Sequence, residues 1–139
     1  MIDNIKNFLL ELGQGFAFVG NQYHIELEGE DYYLDLVFYH IKLKCYVVIE
    51  LKTGKFKLEY AGKLNFYLNL MDRKIKDNSD NPTIGLILCE EKQGITVEYA
   101  IEGIQKSIGV SQFKLTETLP KKLEKFLPTP QELAKLKSE

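Results

Sequence analysis

Apolar residues recur along the chain with two different periods, and the switches between them mark out its elements. Residues 3–12 carry Ile5, Phe8, Leu9 and Leu12 at helical spacing, with Asp3 or Asn4 to cap the start and Gly13 to stop it. This predicts a first amphipathic helix. From 15 to 27 the run is aromatic and β-branched with Gly20 in its middle, which predicts one strand or two short ones with a bend. Glu28, Gly29, Glu30 and Asp31 supply a polar turn. The runs YYLDLVFY at 32–39 and CYVVIEL at 45–51 are strongly strand-like, and the short polar link between them predicts an antiparallel hairpin. One acid interrupts each apolar run: Asp35 in the first, Glu50 in the second.

Beyond Gly54 the period changes. Tyr60, Leu64, Tyr67, Leu68 and Met71 repeat near 3.6 residues and predict a helix over 58–75, broken by KDNSDNP. TIGLILC at 83–89 reads as a buried strand, and ITVEYAI at 95–101 as a further strand, with a continuation into helix left open. Another short strand is predicted at 109–115, and prolines at 120, 128 and 130 punctuate two short helical pieces in the tail. The strand-helix-strand step from 45 to 89 implies that its two strands are parallel. The expected class is α/β, with a mixed central sheet flanked by helices in the order helix-strand-strand-strand-helix-strand.

A length of 139 residues suits one domain spanning 1–139, and 45% hydrophobic residues suffice for a single core. No apolar run approaches the roughly 20 residues of a membrane-spanning helix, and residues 1–13 lack a basic leader. A cytoplasmic location is expected, with no membrane partner. Cys45 and Cys89 both sit in apolar runs, as reduced buried thiols do. The net charge of −2 speaks against a tight, stand-alone nucleic-acid binder. Local positive charge lies at Lys42 and Lys44, at Lys52, Lys55 and Lys57, and at Arg73, Lys74 and Lys76, each of which also reads as solvated surface.

The two acids carry the chemistry. Glu50 and Lys52 are two apart on one strand and share a face, and Asp35 shares a face with Tyr33 and Val37 on the other. A two- or four-residue loop centred between Lys42 and Leu43 puts Asp35 directly opposite Glu50; a five-residue loop shifts the register by one and spoils the match. Opposed carboxylates at about 5 Å between Cβ atoms repel one another. A hard divalent cation offsets this, since Mg²⁺ takes carboxylate oxygens at about 2.0–2.1 Å, and the Leu51 carbonyl is placed to add a ligand. Lys52 then meets a phosphate oxygen or the attacking water. A simple ion pair in a sheet face explains a lone ExK more economically; the Asp on the partner strand and the helix that follows shift the balance.

Asp35, followed after about fifteen residues by Glu50-Leu51-Lys52 within this element order, resembles the PD-(D/E)XK nuclease superfamily and its restriction-endonuclease-like core. More narrowly, GFAFVGNQYHIEL, YYLDLVFYHIKLKCYVVIELKTGKF, EYAGKLNFYLN, PTIGLILCEE and LPTPQEL are similar to the C-terminal nuclease domain of bacterial YhcG-like proteins. The resemblance implies catalytic roles for Asp35, Glu50 and Lys52, metal contacts from Asp35, Glu50 and the Leu51 carbonyl, Mg²⁺ or Mn²⁺ as cofactor, and DNA as substrate, in defence or DNA processing. Glu11, Gln22, Glu59, Lys63 and Tyr67 are additional candidates at the site. Two positions depart from the family: Lys63 stands where a Gln opens a Q-x-x-x-Y motif ending here at Tyr67, and Asn21 stands where an Arg precedes Gln22. Lys63 either reaches a phosphate or is solvated. Glu11 and Glu59 read more simply as solvated helix-end acids. His24 and His40 lack partners at ligand spacing, and Tyr23, Tyr33 and Tyr39 read as packing residues before base-stacking ones.

Two functions are therefore expected to compete: a Mg²⁺-dependent endonuclease, or a non-catalytic module that keeps the fold for nucleic-acid binding or dimerisation. A homodimer and an N-terminal partner domain in longer homologues are the expected assemblies.

Overall fold

Among the described residues, five strands pair in the order in which they occur along the chain. The computed structural model describes residues 15–112. The elements are β1 (Phe16–Leu27), β2 (Glu30–His40), β3 (Cys45–Leu51), α1 (Leu58–Leu70) continued by a π-helical turn (Met71–Ile75), β4 (Ile84–Cys89), α2 (Gly94–Ile101) and β5 (Ile108–Gln112). The helix expected at 3–12 and the helical pieces of the tail lie outside the described residues. Strands β1–β2 and β2–β3 are antiparallel, whereas β3–β4 and β4–β5 are parallel. This is the mixed α/β sheet that the element order implied.

The β2–β3 loop has four residues, 41–44, with Lys44 in the left-handed region at φ 53°. It is tied down at both ends. The Leu43 N–H donates to His40 Nδ1 (2.9 Å), while Asn81 donates through its backbone N–H to the Lys44 carbonyl (2.7 Å) and through Nδ2 to the Leu43 carbonyl (2.8 Å). The loop length sets the pairing from His40↔Cys45 to Leu36↔Ile49.

Alternation along the central strands sorts the core into two layers. Leu36, Phe38, Val47, Ile49, Leu86 and Leu88 face one way. Val37, Val48, Ile87 and Cys89 face α1, which answers with Ala61, Leu64, Tyr67 and Leu68 at helical spacing. The helix lies close because Gly85 of β4 has no side chain: a Cβ there would sit 2.8 Å from Leu64 Cδ2 and 2.9 Å from its Cγ. Cys45 and Cys89 are buried free thiols, as their apolar surroundings implied. Burial raises the Cys45 thiol to about 11, so it stays protonated near neutrality.

One element corrects the reading of the sequence. Residues 95–101, read first as a strand, form α2, and the sheet position beside β4 goes to β5. The cause is topological: two adjacent parallel strands need a crossover, which a helix supplies. Val97, Ala100 and Ile101 pack at helical spacing against the α1 side, a period concealed by the β-branched Ile95, Thr96 and Val97. No helix among the described residues is long and apolar enough to cross a membrane.

Candidate active site

The regular ladder between β2 and β3 ends at Leu36↔Ile49. In the same register the next pair is Asp35 and Glu50, and there side chains replace the backbone ladder. The Asp35 N–H donates to Glu50 Oε2 at 2.9 Å, and the Leu51 N–H donates to Asp35 Oδ2 at 2.9 Å. Each carboxylate thus occupies a bonding position that the opposite backbone would otherwise fill, and the strands fork around the two acids. Simple alternation also slips here: Leu34 and Val37, three residues apart, both pack on the α1 side. The expectation that Tyr33, Asp35 and Val37 share one face therefore fails: Tyr32, Leu34 and Val37 all pack on the α1 side, which leaves Tyr33 facing the other way.

On the other side of β2, a bulge between Phe18 and Gly20 moves the β1–β2 register by one residue. It brings Gln22, instead of Asn21, opposite Asp35, and Gln22 Nε2 donates to Asp35 Oδ1 at 3.2 Å. Gln22 adopts φ 46°, an uncommon conformation for a residue with a side chain and one that clusters at functional sites. Asp35 is consequently held through both oxygens, by β3 on one side and β1 on the other.

Glu50 is 4% exposed. Burial, and then the negative charge of Asp35, push its carboxyl up to about 7; the Asp35 N–H, Lys52 and Lys63 pull it back. Its Oε1 accepts no hydrogen bond from a described residue. Tyr67 of α1 closes the site from the helix side: burial and the charges of Glu50 and Asp35 raise its hydroxyl to about 12, so it stays a neutral donor. Lys52 leans over the Tyr60 ring, 4.9 Å from Nζ to centroid, and Lys63 over Tyr67 at 5.7 Å.

Asp35, Glu50, Lys52, Gln22, Lys63 and Tyr67 therefore converge on one region. Glu59 does not: it is exposed in the first turn of α1. Glu11 lies outside the described residues. His24 bonds Asp31 at 2.7 Å and stacks on Tyr33, and Tyr39 donates to Asp80 at 2.6 Å. Tyr60 is the residue that reading the sequence missed. Its place three and seven residues before Lys63 and Tyr67 was legible as a helical face but indistinguishable from core packing.

Among the described residues no three His, Cys, Asp or Glu side chains gather into a metal-binding group. The chain's acidic contribution at the fork is two carboxylates, both hard oxygen donors.

The YhcG PDDEXK nuclease domain model matches residues 1–128. The chain is 37% identical over 115 residues to YhcG of Escherichia coli (strain K12), an alignment covering 83% of this chain and 31% of that protein, so the chain spans about a third of its relative. Among solved structures, it resembles a repair endonuclease from Pyrococcus abyssi (TM-score 0.56, 14% identity, 78% of this chain and 45% of that one). It also resembles EndoMS in its complex with dsDNA2 (TM-score 0.55, 14% identity, 76% and 42%). An XisH family protein from Nostoc punctiforme PCC 73102 has a TM-score of 0.51 at 12% identity, covering 80% and 89%. At these identities the structural likenesses concern the fold alone, and they agree with its mixed sheet. With the family model covering nearly the whole sequence, the chain belongs to the YhcG PDDEXK nuclease domain family.

Proposed function

We propose that this domain hydrolyses phosphodiester bonds of DNA as an endonuclease dependent on Mg²⁺ or Mn²⁺, with Asp35 and Glu50 as metal ligands and Lys52 as the catalytic cation. The observation that carries this reading is the reciprocal bonding at the fork. It holds two carboxylates side by side, one of them buried with an uncommitted oxygen and a raised pKa. Such a pair gains from a cation that neutralises it.

The two carboxylates suit magnesium, which takes oxygen ligands, few of them from protein, and fills the remainder of its shell with water or phosphate. The Leu51 carbonyl completes the protein's share. In a strand the N–H and C=O of one residue point to the same neighbour, so a Leu51 N–H directed at Asp35 brings its carbonyl to that side. A cation bound there supplies charge to the phosphate oxygens and acidifies coordinated water. The remaining work falls to the chain. Asp35, gripped by Gln22 and Leu51, keeps its oxygens oriented. The Lys52 ammonium donates hydrogen bonds to a non-bridging phosphate oxygen and stabilises the charge that grows there as the bond breaks. Lys63 and the neutral Tyr67 hydroxyl contact an adjacent phosphate from α1.

DNA as the substrate rests on the family and on a similar fold in EndoMS, whose complex contains dsDNA2. With a net charge of −2, the chain is proposed to rely on the remainder of the longer protein, or on a second copy, for most of its affinity. The test is cleavage of supercoiled, linear and single-stranded DNA by the parent and Asp35→Asn in Mg²⁺, Mn²⁺ or EDTA. Metal-dependent cutting that Asp35→Asn abolishes is expected. Intact substrates under every metal condition would leave the alternative, a nuclease-like module that binds without cutting.

A further inference from the structure

We propose that Tyr60 is a positioning residue, whose ring keeps the Lys52 ammonium above the fork and out of an ion pair with Glu50 or Asp35. The proposal rests on the role given to Lys52 above. Lys52 Nζ lies 4.9 Å from the centre of the Tyr60 ring, inside the roughly 6 Å reach of a cation–π contact. Its charge is felt at Glu50, yet among the described residues no ion pair joins it to either acid. A flexible four-carbon stem beside two carboxylates would ordinarily collapse onto one of them. Tyr60 offers a competing site that attracts the ammonium without neutralising it.

The ring is itself fixed. Tyr60 meets Phe56 edge-on, with centroids 6.1 Å apart and planes at 86°, and Phe56 is buried at 7% exposure. The other end of the lysine is fixed too, because the Lys52 N–H donates to the Leu88 carbonyl at 2.8 Å. Only the side-chain torsions remain, and the ring selects among them. An ammonium parked on an aromatic face remains a full cation and can turn to a phosphate at small cost. One locked to Glu50 would occupy the carboxylate intended for the metal and would need to be freed first.

Tyr60→Phe and Tyr60→Leu separate this from a packing role, because phenylalanine keeps the π face and leucine keeps only the bulk. Cleavage by Tyr60→Phe is expected within about twofold of the parent, and kcat of Tyr60→Leu is expected to fall about fivefold to tenfold with KM little changed. Carbon-13 lysine spectra without metal supply a readout independent of cutting: the Lys52 ε-methylene protons should be shifted upfield by the ring in the parent and Tyr60→Phe, and not in Tyr60→Leu. Equal losses in both variants, tracking equal drops in melting temperature, would overturn the proposal in favour of simple packing. So would an unshifted Lys52 signal in the parent. A parent that cuts no DNA would remove the nuclease reading, whereas loss of the shift in Tyr60→Leu alone would still uphold the positioning.

Discussion

Replacing Glu50 by Gln removes the buried charge while keeping the shape, and should stabilise the metal-free protein in a pH-dependent way. Burial and Asp35 raise the Glu50 carboxyl from 4.5 to about 7 in the folded chain. At about 1.4 kcal/mol per pKa unit, ionising this side chain in the folded state costs about 3 kcal/mol more than in the unfolded chain. Between pH 4.5 and 7 the folded state holds a proton that the unfolded state has released, so the parent loses stability as pH rises through this window and keeps the full penalty above it. Gln carries no charge to lose, and its Oε1 can still accept from the Asp35 N–H. Thermal melts in EDTA should therefore find the two proteins alike near pH 4.5 and Glu50→Gln higher by about 10 °C at pH 8.5. Under the proposed function, saturating Mg²⁺ should raise the parent far more than Glu50→Gln, which lacks one of the two proposed carboxylate ligands. A variant that melts below the parent at pH 8.5, or a gap that does not change with pH, would refute the reasoning.

Three further outcomes follow from the same geometry. Lys52→Ala should keep its divalent-cation affinity in calorimetric titration while losing at least about 100-fold in cleavage rate, since the role proposed for it is on the phosphate and not on the ion. Gly85→Ala should destabilise the fold by about 1–3 kcal/mol in urea unfolding, because the added methyl meets Leu64 on a helix that cannot move away without opening the core. DNA binding by the chain alone should be weak and should fall steeply with salt, giving a straight line of log K against log salt concentration; affinity indifferent to salt would point to stacking or apolar contacts instead.

The strands that carry the two acids and the lysine of the proposed site, and the helix that follows, were legible in the sequence. Polar residues that break a run of buried strand positions stand out against it, and the loop around Lys42 and Leu43 fixed the pairing once its length was known. The long helix was legible too, because its period persists through 58–75 and the π-helical turn at its end does not disturb it. Residues 95–101 were ambiguous because β-branched residues obey no single period over so short a run; the strand position was awarded by competition with Ile108–Gln112, a choice that exists only once β4 is in place.

The arrangement within the site needed the tertiary structure. Sequence spacing places side chains on faces of ideal strands, but here the strands part at Asp35, and the acids bond to the backbone across the gap. A bulge near Gly20 then decides which β1 residue meets Asp35. Likewise, nothing in the order of residues says that Tyr60 lies under Lys52. That contact depends on how α1 crosses the sheet, which is set by the packing of Leu64 and Leu68 over Gly85. Local pattern determines which residues are strand, helix and acid because each depends on near neighbours. Burial, register slips and contacts between elements depend on the whole packed core, and these turn two ordinary carboxylates into one electrostatically coupled pair.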